Sequence, residues 1–230
     1  MEKKLFVFDV DGTLYNGHYL FPLADALLEE NLLTQKQHAG IFAHRAKYLQ
    51  KKATYATTLR NVFGEYEKAI KGISARKAGL LARHIVQKEK NHLFPGARQL
   101  IAAAGKRNWV IALSLSPIEA IRNLKMFLPF HATYGTVYET RNGKYIGRAR
   151  WPILKTKKAL IERMQKKFPA RETILIGDTI EDFKTAQAEG FQFFGVHADF
   201  ELQKAARQGK CRIFKDLKVL LRFLKENALV

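Results

Sequence analysis

Three stretches of the chain are almost uninterruptedly apolar and each ends in polar residues: LFVFDVDGT (5–13), WVIALSLSP (109–117) and TILIGDT (173–179). Such runs, without polar alternation, predict strands buried on both faces of a parallel sheet. FQFFGVHA (191–198) and CRIF (211–214) are two further strand candidates. Residues 18–94 carry no strand pattern. Within them PLADALLEENLL, TQKQHAGIFAHRAKYLQKK and SARKAGLLARHIVQKEK read as helices, with Thr34 and Gln37 at capping-box spacing. FPG at 94–96 marks the return to the sheet, and TVYETRNGKYIGRA (136–149) predicts a hairpin turning at Asn142–Gly143. WPILKTKKALIERMQKKF predicts a helix starting near Lys155 or Thr156 that turns Ala159, Leu160, Met164 and Phe168 inward. The C-terminal KDLKVLLRFLKENALV is an amphipathic helix expected to cover the sheet. The pattern predicts an α/β fold. Ligands of such sheets bind at the carboxyl ends of the strands, so the three polar endings are expected at one edge, with residues 18–94 as a lid.

Length and charge narrow the picture only a little. The 230 residues suffice for one α/β domain, or a core domain with a smaller insertion. No segment approaches the ~18 apolar residues of a membrane span, and Asp9 interrupts the N-terminal apolar segment too early for a secretory signal. The single cysteine, Cys211, excludes an internal disulfide and fits a reducing cytoplasm, the expected location. Forty Lys and Arg against 21 Asp and Glu give a net charge of +19. That field attracts anions, whether phosphorylated metabolites, nucleic acid or acidic lipid, without choosing among them.

The strand endings carry the chemistry. Asp9 and Asp11 lie one residue apart after an apolar run, so both carboxylates point the same way. Like charges that close are unfavourable unless a cation sits between them or one stays protonated. Either a divalent ion relieves the repulsion, with oxygen donors favouring Mg²⁺, or the pair divides the work of nucleophile and general acid/base. Gly12 permits a tight turn and Thr13 adds a hydroxyl, and both join the candidate phosphate-binding residues. In SLSPIEA, Ser116, Pro117 and Glu119 read as an N-cap, N1 proline and capping box. Ser114 is thereby left as the phosphate ligand, with Ser116 second. GDTIED brings Asp178 and Asp182 to the same edge, and so many converging acids imply a cation. Lysines at the start of the helix near Lys155 oppose its dipole. That departure from local preference makes the cluster of Lys155, Lys157 and Lys158 notable, with Lys155 able to shield phosphate and aspartates and the other two as readily solvated.

DVDGT, a strand-end serine, a lysine and GDTIED, in that order, resemble the motifs of the haloacid dehalogenase superfamily over nearly the whole chain. The segments around the serine, the hairpin and the lysine look most like its phosphoserine phosphatase-like subgroup. The resemblance implies a three-layer Rossmann-like core (1–17 and 95–230) with a helical C1-type cap (18–94) and a hairpin after the third core strand. It implies a Mg²⁺-dependent phosphomonoesterase in which Asp9 attacks phosphorus and Asp11 serves as acid and then base. Ser114 and Lys155 hold the phosphoryl oxygens. Asp9, the carbonyl of Asp11 and Asp178 bind the metal, and Asp182 orients Lys155 or a metal-bound water. His18 stands where phosphoserine-specific members have a glutamate. Val62 aligns with their cap arginine, and Arg60 lies two positions before it. These departures leave the small phosphorylated substrate unassigned, and the basic cap suggests a more anionic or larger one than phosphoserine, such as a phospholipid headgroup, sugar phosphate or nucleotide. The alternatives are a phosphatase acting on lipid or nucleic-acid phosphate at an anionic surface, or a non-catalytic anion-binding module.

Overall fold

The computed structural model describes residues 3–50, 52–151, 160 and 162–230. At its centre β1 (Leu5–Phe8) pairs in parallel with β2 (Trp109–Pro117) on one side and β5 (Thr173–Gly177) on the other. β6 (Gln192–Val196) and β7 (Arg212–Phe214) extend the sheet beyond β5. Beyond β2 lies β3 (Ala132–Arg141), parallel to it, and then β4 (Lys144–Trp151), antiparallel to β3, giving the order β4-β3-β2-β1-β5-β6-β7. The expected hairpin is present, turning through Asn142 (φ 51°) and Gly143 (φ 73°). Its first strand starts at Ala132, earlier than the sequence pattern indicates, because residues 132–134 first pair with Ile111–Leu113 as a core strand.

Alternation along β1 explains its unbroken apolar run. Phe6 and Phe8 enter the core on one face, Leu5 and Val7 the core on the other, and all four are fully buried. The first core includes α5 (Ala97–Gly105) through Leu100 and Ile101. It also takes in the C-terminal helix, here α9 (Leu217–Glu226), through Leu217, Leu220 and Leu224. That helix covers the sheet as its amphipathic pattern predicts. The second core takes Leu160, Met164 and Phe168 beside Phe183 of α7 (Ile180–Ala188) and Leu202 of α8 (Phe200–Arg207).

Between β1 and β2 the chain forms α1 (Leu20–Glu29), α2 (Gln35–Leu49), α3 (Tyr55–Ala69) and α4 (Ala75–Lys88). α2 begins on the Thr34–Gln37 capping box. The insertion is closed at its root, where the Phe94 amide donates to the Leu14 carbonyl and the Asn16 amide to that of His92. It is also fastened at the α3–α4 turn. There the Gly72 amide donates to the Tyr145 carbonyl (2.8 Å), Tyr145 to Ile73 (3.0 Å) and Ala75 to Gly143 (2.9 Å). Among the described residues, no helix is long and apolar enough to cross a membrane.

After β2 comes a short helix, α6 (Ile118–Asn123), and here the sequence reading fails in one respect. Ser116 provides no side-chain cap and β2 runs on through Pro117. Glu119, expected to complete a capping box, instead accepts from the Tyr145 hydroxyl at 2.7 Å, a partner brought in by the hairpin.

Candidate active site

Register brings the strand endings together. Phe8 is level with Ala112 and with Ile176, so the residues that follow each of them emerge side by side at the carboxyl edge. The Asp9 amide still donates to the Ile176 carbonyl, the last ladder bond of β1. Val10 then turns fully into the core, and its carbonyl accepts from the amides of Thr13, Leu14 and Tyr15. That tight turn carries Asp9 and Asp11 on either side of an apolar anchor.

The two carboxylates have different surroundings. Asp11 accepts from the Tyr19 amide (2.9 Å) through Oδ1 and from the Ser114 hydroxyl (2.5 Å) through Oδ2. Ser114 is itself held, its oxygen accepting from the Ser116 amide at 2.9 Å. Asp9 faces the other way. The buried Thr13 hydroxyl lies 3.1 Å from Asp9 Oδ2 and 2.8 Å from Asp178 Oδ1. Having one proton, it donates to only one of them at a time. Gly12 has φ of +88°, and a Cβ there would lie 2.2 Å from Asp178 Oδ2. Nothing larger than glycine fits between the turn and that carboxylate.

Asp178 follows β5, and Asp182 sits in the first turn of α7, where it forms a capping box with Thr179. Their side-chain contact is 2.6 Å, and each amide faces the other's side chain at 3.3 Å. One oxygen each of Asp9, Asp178 and Asp182 lie within 4.8 Å of one another. Burial, reinforced by the neighbouring Asp182, pushes the Asp178 carboxyl well above the usual carboxylate range, against the lowering effect of the Thr13 hydroxyl. Asp199 caps α8 by accepting from the Leu202 amide (2.7 Å). Burial raises its carboxyl as well, while its backbone hydrogen bonds lower it. The sequence reading did not single out Asp199, whose only signal is that of an ordinary N-cap. Three clustered carboxylates form an all-oxygen donor set suited to a hard divalent cation. All three line one cavity, so the residues fit Mg²⁺.

A cavity of about 390 Å³ opens from these acids toward the insertion. Asp9, Asp11, Ser114, Ser116, Asp178, Asp182 and His18 all line it. Arg60 does not. Leu59, Val62 and Phe63 present one face of α3 to the cavity, and Arg60, one residue out of phase, is exposed on another. The arginine at the cavity is Arg45 of α2, its guanidinium carbon 4.9 Å from the centre of the Phe21 ring. With so many basic residues on α2, no sequence signal distinguished it. Lys155 lies outside the described residues.

A family model, haloacid dehalogenase-like hydrolase, matches residues 3–190. The chain belongs to that family. No curated protein matches the sequence. Solved structures share the fold across nearly the whole chain. A protein of unknown function from Bordetella pertussis Tohama I is 16% identical, with a TM-score of 0.71 over 94% of this chain and 99% of its own. A phosphoserine phosphatase, described as a phospho-aspartyl intermediate analogue, is 18% identical, with a TM-score of 0.66 over 97% and 99%. A phosphoserine phosphohydrolase-like protein from Francisella tularensis subsp. tularensis SCHU S4 is 14% identical, with a TM-score of 0.68 over 97% and 100%.

Proposed function

We propose that the chain hydrolyses phosphomonoesters through a phosphoryl group carried on Asp9. The observation behind this reading is the unlike treatment of two neighbouring carboxylates. Asp9 lies in the acidic cluster with Asp178 and Asp182, while Asp11 is drawn out of it by the Tyr19 amide and the Ser114 hydroxyl. Such division suits one group to attack and the other to move protons. Asp9 attacks phosphorus and the bond to the ester oxygen breaks. Asp11 gives that oxygen its proton, then takes one from the water that cleaves the Asp9–phosphorus bond and releases phosphate. Ser114, Thr13 and the turn at Gly12 stand beside the phosphoryl position, and Lys155 is proposed as its cationic partner. Asp9, Asp178 and the main-chain carbonyl of Asp11 would hold Mg²⁺, with Asp182 supporting them. Bound there, the ion supplies the charge shielding that a carboxylate needs to approach a phosphate dianion.

The fold likeness to a phosphoserine phosphatase trapped as a phospho-aspartyl analogue is consistent with this chemistry. The test is hydrolysis of p-nitrophenyl phosphate with and without Mg²⁺. Turnover is expected only with the ion, to be abolished in Asp9→Asn and cut by ~10²–10⁴-fold in Asp11→Asn. Salt-sensitive RNA binding with no turnover of any ester would replace the reading with that of a binding module.

A further inference from the structure

Beyond the carboxylates and the hydroxyls beside them, much of the cavity wall is apolar. It is formed by Leu20 and Phe21 of α1, Leu49 of α2, Leu59 and Phe63 of α3, and Leu115 of β2. Two threonine hydroxyls of that wall are engaged, Thr58 donating to the Thr54 carbonyl (2.9 Å) and Thr185 to that of Glu181 (2.8 Å), while Tyr48 and Ser116 bring further hydroxyls to the lining. Glu181, among the described residues the one lining acid outside the four aspartates, is paired with Lys184 at 2.8 Å. The insertion offers His18, with its ring edge-on to Phe21 at 6.0 Å, Arg45, over the same ring from the exposed side, and Tyr48. Among the described lining residues, no carboxylate stands on the insertion side to meet a substrate ammonium.

Resting on the phosphatase reading, we infer that the substrate is a phosphomonoester whose alcohol part is apolar and carries no positive charge: an alkyl or aryl phosphate, free or embedded in a bilayer. An amino-alcohol phosphate would bring its ammonium against leucine and phenylalanine without a counter-charge, an unfavourable burial. A sugar phosphate would set hydroxyls against leucine and phenylalanine side chains and gain less from their burial. An apolar group instead gains from every carbon removed from water. Catalytic pockets that enclose small molecules are commonly built this way, with a polar reacting end and an apolar remainder.

The experiment measures kcat/KM with Mg²⁺ for O-phosphoserine, glycerol phosphate, a series of n-alkyl phosphates from ethyl to octyl, and naphthyl phosphate. Hexadecyl phosphate in phosphatidylcholine vesicles forms a separate arm. A rise of about fourfold per methylene, corresponding to ~0.8 kcal/mol each, is expected until the cavity is filled. Naphthyl phosphate is expected to exceed phosphoserine at least ~10-fold, and Phe63→Ala to flatten the alkyl series. A rise among monomeric esters supports a soluble substrate of this class, and turnover confined to vesicles supports a membrane-borne one. A flat or falling series, with phosphoserine or glycerol phosphate preferred, overturns the inference and leaves the phosphatase reading intact. Failure to hydrolyse any ester overturns both.

Discussion

Gly12 shows how little freedom one residue in the site has. Its φ of +88° belongs to a region that side chains avoid, and its absent Cβ is what lets Asp178 approach to where the Thr13 hydroxyl reaches it. Gly12→Ala is expected to cost ~1–2 kcal/mol from backbone strain and to displace Asp178. The Mg²⁺ concentration for half-maximal activity should rise sharply while the melting temperature falls by only a few degrees. A variant with unchanged Mg²⁺ dependence would show that the turn has slack the distances do not reveal. The acids of this site were legible in the sequence for a physical reason. Asp9, Asp11, Asp178 and Ser114 each follow closely on an apolar run of a strand, and parallel register brings those runs to one edge. Arg45 was not legible. It sits on a helix whose only buried residue is Ile41, so its sequence gives no phase by which one basic side chain can be told from another.

At the scale of elements, the insertion is held unevenly. Its α3–α4 turn is hydrogen-bonded to the β3–β4 hairpin through Gly72, Ala75 and Tyr145, and the Glu67 carboxylate accepts from the Ala149 amide. α2 contributes little to the core and leaves Arg45, Tyr48 and Leu49 exposed at the cavity. Motion over the site is therefore expected in α2, with the hairpin side fixed. Hydrogen exchange should find the amides of Gly72, Ala75 and Tyr145 protected well beyond those of α2. Equal protection across the insertion would refute a hinge of that kind. The same hairpin explains the misread cap after β2, since the Tyr145 hydroxyl takes the Glu119 carboxylate from a distance in sequence that local rules do not see. α3 is a different case. Leu59, Val62, Phe63 and Tyr66 follow helical spacing, a signal that is present in the sequence but diluted by threonines and Gly64.

For the whole molecule, the net charge of +19 makes each further proton unwelcome, and two histidines are placed to feel it. His197, at φ 50° after β6, stacks on Phe94 at 3.8 Å with its Nε2 buried and unpaired. Burial holds its imidazole below the ordinary value of 6.5, although Asp216 pulls it upward. His131 accepts from the Val110 amide at Nδ1 (3.1 Å), so that nitrogen must be unprotonated in the fold. Burial lowers its imidazole, as do Lys3 and Lys125. A group whose pKa is depressed on folding binds fewer protons in the native than in the unfolded chain. Both histidines therefore contribute stability that is present above the ordinary histidine value and lost as pH falls through it toward their folded values. The melting temperature is expected to decline on acidification across roughly pH 8 to 5, and His197→Phe should make that decline shallower. His131→Asn should do the same, since its amide oxygen can accept from Val110 without titrating. An unchanged slope in both variants would show that neither histidine carries the acid sensitivity.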